Sequence, residues 1–183
     1  VSGSCAPTTA DQISHAQAKG FQIVDFDAAT AVDSRTLAAE FERVKTVCLN
    51  HLSDGYDVLS TTSRGPADPS AQRMAEAISA AGVPVSDAND RLGAALGHLV
   101  ADIRSTTGLG RVAIGGGDTS GHALTALKAE ALSAVAPLAP GAPLCRLHAA
   151  RTPKIDGLEV TLKGGQMGSH DYFGWIRNGG GTQ

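Results

Sequence analysis

The stretch Arg111-Val112-Ala113-Ile114-Gly115-Gly116-Gly117-Asp118-Thr119-Ser120-Gly121 sets the reading of this chain. A short apolar run breaks into a cluster of glycines, and Asp-Thr-Ser opens a segment of helical character from His122 to Leu132. Strand, glycine turn and helix N-terminus in that order make an anion site. Backbone N–H groups point outward there, and the helix dipole favours negative charge by about 0.3–1 kcal/mol. Glycines let a phosphate approach the backbone without a Cβ in the way. The stretch therefore points to a phosphate-bearing ligand, with a nucleotide as the leading candidate. The plain alternative is a tight strand–helix turn in which Asp118 or Thr119 is an ordinary N-cap. It is not a Walker A loop, because the chain contains no Gly-Lys-Ser/Thr. It also departs from the dinucleotide fingerprint, with Ser120 where the third glycine belongs.

Outward from this motif, short apolar runs alternate with longer helical patterns. A helix over Thr9–Lys19 ends at Gly20, and Phe21–Val24 follows as a strand. Beyond Ser34, an N-cap candidate, Leu37, Phe41, Val44, Cys48 and Leu52 step by three and four residues, the mark of an amphipathic helix ending near Gly55. Asp57–Ser60 reads as a strand, Ser70–Ala80 as a helix. The next helix, capped by Ser86 or Asp87, carries Leu92, Leu96, Leu99 and Ile103 on one face. After the opening motif, Pro137, Pro140, Gly141 and Pro143 suggest an irregular connection. Strands at Leu144–His148 and Leu158–Leu162 and a short helix from near His170 complete the chain. Strands separated by helices predict an α/β fold with an open, mainly parallel sheet flanked by helices. The last two strands are too close for a helical crossover and are expected to pair antiparallel. Ligands of such sheets bind beyond the carboxyl ends of the strands, where the strand order reverses.

The 183 residues suit one domain, expected over 1–178, with the glycine-rich end at 179–183 read as a flexible tail. A net charge of -3 and scattered lysines and arginines give no footprint for nucleic acid or an acidic membrane surface. No apolar run is long enough to span a bilayer. Cys5, Cys48 and Cys145 are odd in number and widely spaced, which favours neither a disulfide framework nor zinc and makes the cytoplasm the default. The chain lacks an initiator Met and starts at once on a strand-to-turn segment, so excision from a longer polypeptide is the favoured expectation.

Two further turns share the logic of the first. Lys163-Gly164-Gly165-Gln166-Met167-Gly168 follows the last strand, where Lys163 is either a point charge for a phosphate or a solvated side chain. Val1-Ser2-Gly3-Ser4-Cys5-Ala6-Pro7-Thr8-Thr9 ends a strand in small hydroxyl residues, with Thr8 or Thr9 as a cap for the next helix. Cys5 reads as a small buried residue rather than a nucleophile. His122, His148 and His170 have no metal-ligand spacing, and no Ser-His-Asp or Cys-His set is definable. Asp118 is either a cap or a water-mediated magnesium contact.

The three turns, with Asp171-Tyr172-Phe173 and the connection Ala136–Pro143, resemble the four-carbon acid sugar kinase family, and specifically its C-terminal nucleotide-binding domain. The resemblance runs nearly end to end with the motifs in order. It implies phosphorylation of a tetronate, threonate, erythronate or oxo-tetronate with ATP, in a two-domain protein whose N-terminal domain holds the acid sugar. It carries over Ser4, Gly116, Gly117, Asp118, Thr119 and Gly165 as nucleotide contacts, with Mg2+ expected alongside ATP. Catalytic and metal-ligating residues stay unassigned. The family usually has Glu at the position of Asp118, and Lys-Ser-Gly-Asn-Phe-Gly where this chain has Lys-Gly-Gly-Gln-Met-Gly. The acid-sugar domain, with its Gly-Asp-Asp segment and expected catalytic carboxylate, is absent from these residues. A chain with only the nucleotide half is expected to bind ATP or ADP without turnover. A homo-oligomer stays open. The alternatives are a non-catalytic nucleotide or phosphate-binding regulatory module and, disfavoured by the failed fingerprint, an NAD(P)-dependent oxidoreductase.

Overall fold

In the computed structural model, which describes residues 1–179, the chain forms six α-helices and six strands. They run α1 (Pro7–Ala18), β1 (Gln22–Asp25), α2 (Ser34–Ser53), β2 (Val58–Thr61), α3 (Ser70–Ala81), α4 (Val85–Thr107), β3 (Arg111–Gly115), α5 (Gly117–Ala126), β4 (Ala131–Ala139), β5 (Ala142–His148), β6 (Glu159–Lys163) and α6 (Tyr172–Asn178). A 3₁₀ turn over Ala28–Val32, which no periodicity announced, leads into α2. The expected tail begins at Gly179, in a left-handed conformation; residues 180–183 lie outside the described part.

The sheet is mixed and mainly parallel, as expected. β1 pairs parallel with β2, and β3 parallel with β6. Ser2 joins the two halves, bridging in parallel to both Thr61 of β2 and Gly115 of β3. The order is therefore β1, β2, the N-terminal segment, β3, β6, β5, β4. The chain leaves the N-terminal segment through α1 toward β1, and later returns through β3 on its other side. The strand order thus reverses between the N-terminal segment and β3, the place where open α/β sheets hold ligands. β5 pairs antiparallel with β6, as its short connection required.

The sequence reading missed one strand. β4 runs antiparallel to β5 as a hairpin where an irregular connection was expected, and the helix extending to Leu132 stops at Ala126 instead. Lys128 takes the left-handed conformation after α5, at φ +55°, a place where glycine would have signalled the stop. β4 is alanine-rich (Ala131, Ala134, Ala136, Ala139) and carries Pro137, a composition with little strand signal.

Caps also moved. Asp33, not Ser34, caps α2, its Oδ1 accepting from the N–H groups of Arg35 (2.8 Å) and Thr36 (3.2 Å). Pro84 occupies the N-cap of α4, so Ser86 and Asp87 lie in its first turn. Ala6 precedes α1 with Pro7 at the first helical position, so neither Thr8 nor Thr9 caps it.

Hydrophobic packing fixes the layers. Leu92, Leu96, Leu99 and Ile103 are buried along one face of α4, against Val44 and Cys48 of α2. α1 and α6 cover another region of the sheet through Ile13, Ala16, Tyr172 and Ile176. Two mid-helix glycines explain how closely α4 meets α5. A Cβ at Gly93 would fall 2.5 Å from Cβ of His122, and one at Gly97 would fall 2.7 Å from Cβ of Ala126. Each glycine costs about 1 kcal/mol of helix propensity. Close packing of α5, which carries the glycine motif on its first turn, offsets it.

Candidate nucleotide site

All three turns meet at the carboxyl ends of the central strands. The N–H of Gly3 donates to the carbonyl of Gly115 (2.9 Å), and the N–H of Gly116 donates to the carbonyl of Lys163 (2.9 Å). The first, second and third turns are thereby tied into consecutive ladders. Gly3 lies so close to Thr119 that any side chain there would overlap the Thr119 hydroxyl. Gly116 has φ +109°, a conformation that L side chains rarely adopt. A Cβ at Gly165 would fall 2.6 Å from Ser4 Oγ and 2.7 Å from Ala6 Cβ. Glycine at these positions is what lets three backbones converge.

Two helices begin here. α5 starts at Gly117 with Gly116 as N-cap, and α1 starts at Pro7 with Ala6 as N-cap; neither has a side-chain cap hydrogen bond. Asp118 and Thr119 lie inside the first turn of α5 and are not its caps, so the tight strand–helix turn is capped by Gly116 instead. The first intrahelical bond runs from the Ser120 N–H to the Gly116 carbonyl (2.9 Å), so the N–H groups of Gly117, Asp118 and Thr119 have no acceptor within α5. Two helix N-termini aimed into one crevice give it a positive potential without any exposed lysine or arginine in the three turns.

Beneath the third turn lies Lys163. The sequence allowed a solvated lysine, but the side chain is 2 % exposed. Its Nζ donates to Thr9 Oγ1 (2.9 Å), to the Gly164 carbonyl (3.1 Å) and to the Gly165 carbonyl (3.5 Å), and lies 5.7 Å from the ring centre of Tyr172. No carboxylate pairs with it among the described residues. Burial pushes its pKa down to about 8, so it stays mostly protonated at neutral pH as a fixed positive charge below the site. Thr9, which sequence reasoning considered only as a cap, is the hub. Its hydroxyl contacts Ser4 Oγ (3.1 Å) and the Gly165 carbonyl (2.8 Å) while accepting from Lys163. A hydroxyl donates only one hydrogen, so the Ser4 and Gly165 contacts share it or Ser4 is the donor in its pair.

Of the remaining single residues, Cys5 and His122 line a pocket together with Gly3, Asp118 and Thr119, while His148 and His170 lie elsewhere. Cys5, expected to be buried, is exposed, because it follows the last ladder bond of the N-terminal segment. His148 hydrogen-bonds Ser133 (2.8 Å), and His170 packs edge-on against His15. His122 faces Asp90 at 3.4 Å. A cavity of about 570 Å3 sits at the opposite, amino ends of the strands, beside Val58, Arg111 and Glu159. Arg111 pairs with Glu159 there (Nε–Oε2 2.8 Å) and Arg177 with Asp57 (3.4 Å), while Arg104 donates to backbone carbonyls.

The match to a family model decides the classification: residues 1–173 match that of a nucleotide-binding C-terminal domain. The chain belongs to that family. As a nucleotide-binding C-terminal domain, it is 44% identical over 179 residues to the 3-oxo-isoapionate kinase of Paraburkholderia graminis. The alignment covers 98% of this chain and 38% of that relative, so the chain spans well under half of the relative's length. Several solved structures share its fold. A Haemophilus influenzae protein of the DUF1537 family superposes with a TM-score of 0.73 at 20% identity, covering 97% of this chain and 39% of that one. A DUF1537 domain from Bordetella bronchiseptica, crystallised with citrate as a domain-swapped dimer, gives 0.67 at 23% identity, with coverage of 94% and 38%.

For a divalent ion the donor set is sparse. No group of three or more His, Cys, Asp or Glu side chains among the described residues could hold a metal. Asp118 is exposed in the first turn of α5. That fits Mg2+ carried mainly by phosphates and water, the mode magnesium favours with nucleotides.

Proposed function

We propose that residues 1–178 are the ATP-binding domain of a two-domain cytoplasmic kinase that phosphorylates a four-carbon acid sugar: a tetronate, threonate, erythronate or oxo-tetronate. The observation that carries the reading is the close approach of the three turns that hold Ser4, Gly116–Thr119 and Gly165, at the strand-order reversal. The named activity of the 44% identical relative supports a kinase. Among the described residues no helix is long and apolar enough to cross a membrane.

In this reading the first-turn N–H groups of α5 hold phosphate oxygens, and Asp118 is the carboxylate that would face a nucleotide-bound Mg2+. Such an ion, when bound, would offset negative charge on the phosphates. Gly116 and Gly165 admit the phosphates to the backbone, and Ser4 offers a hydroxyl. Lys163 supports the wall from below. Phosphoryl transfer needs a positioned acceptor hydroxyl as well, and nothing in these three turns holds one. The chain alone therefore binds ATP and ADP without turnover, and the acid sugar docks on the N-terminal domain of the longer polypeptide.

Calorimetric titration with ATP, ADP and NAD in the presence of Mg2+ tests this. Saturable heat with ATP and ADP and none with NAD is the expected result. Absence of heat with both adenine nucleotides overturns the reading.

A further inference from the structure

The cavity of about 570 Å3 at the amino ends of the strands has the form of a slot between two strand edges. Higher up, Ser2 fills the space between β2 and β3 and pairs in parallel with both, at Thr61 and Gly115. Toward the amino ends the same two strands line the cavity, β2 with Val58 and Leu59, β3 with Val112 and Ala113. The ladder shows which backbone groups point into it. Ser2 donates to the Ser60 carbonyl and accepts from Thr62, while Val1 donates to the Ala113 carbonyl and accepts from Gly115. Along a parallel strand every second residue turns its N–H and C=O to the same side. The Ser60 N–H and Val58 carbonyl therefore point into the slot from β2, and the Ala113 N–H and Arg111 carbonyl from β3. Leu59 is turned the other way, to β1.

Apolar side chains wall the slot from two packed layers: Phe21, Phe173 and Ile176 with α1 and α6, Leu52 and Leu109 with α2 and α4. Inward-facing peptide groups between apolar layers suit an extended chain better than an ionic small molecule. The Val1 ammonium adds a second observation. It donates to the Ala113 carbonyl (2.8 Å), and burial lowers its pKa to about 6. A peptide N–H would keep that bond with no charge to desolvate. The chain spans 38% of the 3-oxo-isoapionate kinase it resembles, a length that leaves polypeptide to fill such a slot.

We propose that the slot takes the polypeptide immediately preceding Val1, which runs through it as the first part of the sheet's central strand. Ser2 stands opposite Thr61 and Gly115, so the residue two places before it stands opposite Leu59 and Ala113, and the next opposite Val58 and Val112. A strand covered on both faces is apolar at successive positions, so both of these residues are apolar, one packed into each layer. The same strand ends at Ser4, and holding its start fixes the first turn of the candidate site. Nothing in the slot depends on what the crevice binds.

Two N-terminal extensions of the chain test this, one ending in Ile-Val-Val and one in Ser-Gly-Ser directly before Val1. Thermal unfolding and amide hydrogen exchange are read on both. The apolar extension should slow exchange at Ser60 and Ala113 at least tenfold relative to the polar one and raise the melting temperature by several degrees. Leu59, bonded to β1, is the reference amide protected in both. A chain that folds only with the apolar extension supports the proposal equally. Equal exchange and melting with the two extensions overturns it, as does failure of both to fold. A higher melting temperature without slower exchange at Ser60 and Ala113 places the extension elsewhere on the surface and also overturns it.

Discussion

Lys163→Met tests whether a buried, uncompensated charge sits under the candidate site. Nζ is held at a pKa of about 8, against an ordinary 10.5, by loss of solvent. That depression corresponds to about 3 kcal/mol at 1.36 kcal/mol per pKa unit. The sign follows from proton binding. Below pH 8 both the folded and unfolded chains carry the proton, and the folded state bears the full desolvation cost. Between pH 8 and 10.5 the folded chain has released it while the unfolded chain still holds it, so stability rises with pH. Other groups oppose this: burial pushes the Cys48 thiol up from 9.0 to about 11 and also raises the Tyr172 phenol, and both make stability fall at alkaline pH. The wild-type curve is thus a composite, and the difference from Lys163→Met isolates the lysine. Methionine keeps an unbranched apolar chain of similar length and removes the charge, a replacement that buried ionic groups often tolerate. Urea unfolding from pH 7 to 10.5 gives the two stabilities. Wild type minus variant should climb by about 3 kcal/mol across that range, most of it above pH 8. A flat difference, or one that falls with pH, refutes the claim that Lys163 is desolvated and unpaired.

Three further substitutions probe the geometry. Gly165→Ala drives a methyl toward Ser4 Oγ and Ala6 Cβ, so ADP affinity measured by calorimetry should fall at least tenfold, with secondary structure by circular dichroism unchanged. Gly116→Ala places a side chain at φ +109° and should cost about 1–3 kcal/mol, seen in thermal unfolding as a melting point lower by several degrees. Glu159→Gln breaks the half-buried pair with Arg111 at the far end of the strands; it should cost about 1 kcal/mol in urea unfolding and leave ADP affinity within twofold.

Sequence made visible whatever rested on periodicity or glycine. The α4 stripe of Leu92, Leu96, Leu99 and Ile103 is buried as its spacing demanded, and β3 and β6 fall within a residue or so of their apolar runs. The order of the three turns identified the family, and their contact in space followed from the topology. What escaped depended on tertiary context. β4 is rich in alanine and contains Pro137, residue types depleted in strands, and only its hairpin ladder with β5 makes it a strand. The stop of α5 is set by Lys128, a residue type that carries no termination signal. Thr9 looked like a cap because threonine before an apolar pattern usually is one. Its hub role exists only because α1 packs beside the third turn, more than 150 residues later in sequence.

Placing the N-terminal segment at the centre of the sheet has one more consequence. Because Ser2 pairs with both β2 and β3, its chain continuation into α1 starts a helix beside the start of α5. Two helix N-termini then lie side by side. Their summed potential would favour an anion there without an exposed cation. It also disfavours a second positive charge nearby, yet Lys163 sits just beneath, buried and without a carboxylate partner. That combination is costly in the free chain and favourable once a polyanion occupies the crevice. The same charge that destabilises the unliganded fold therefore adds to the affinity for phosphates, and nucleotide binding should raise the Lys163 pKa toward its ordinary value. Measured in the same alkaline titration with saturating ADP, the pH-dependent rise in stability should shrink and move upward from pH 8. An unmoved transition would separate Lys163 from the bound phosphates and reduce its role to packing.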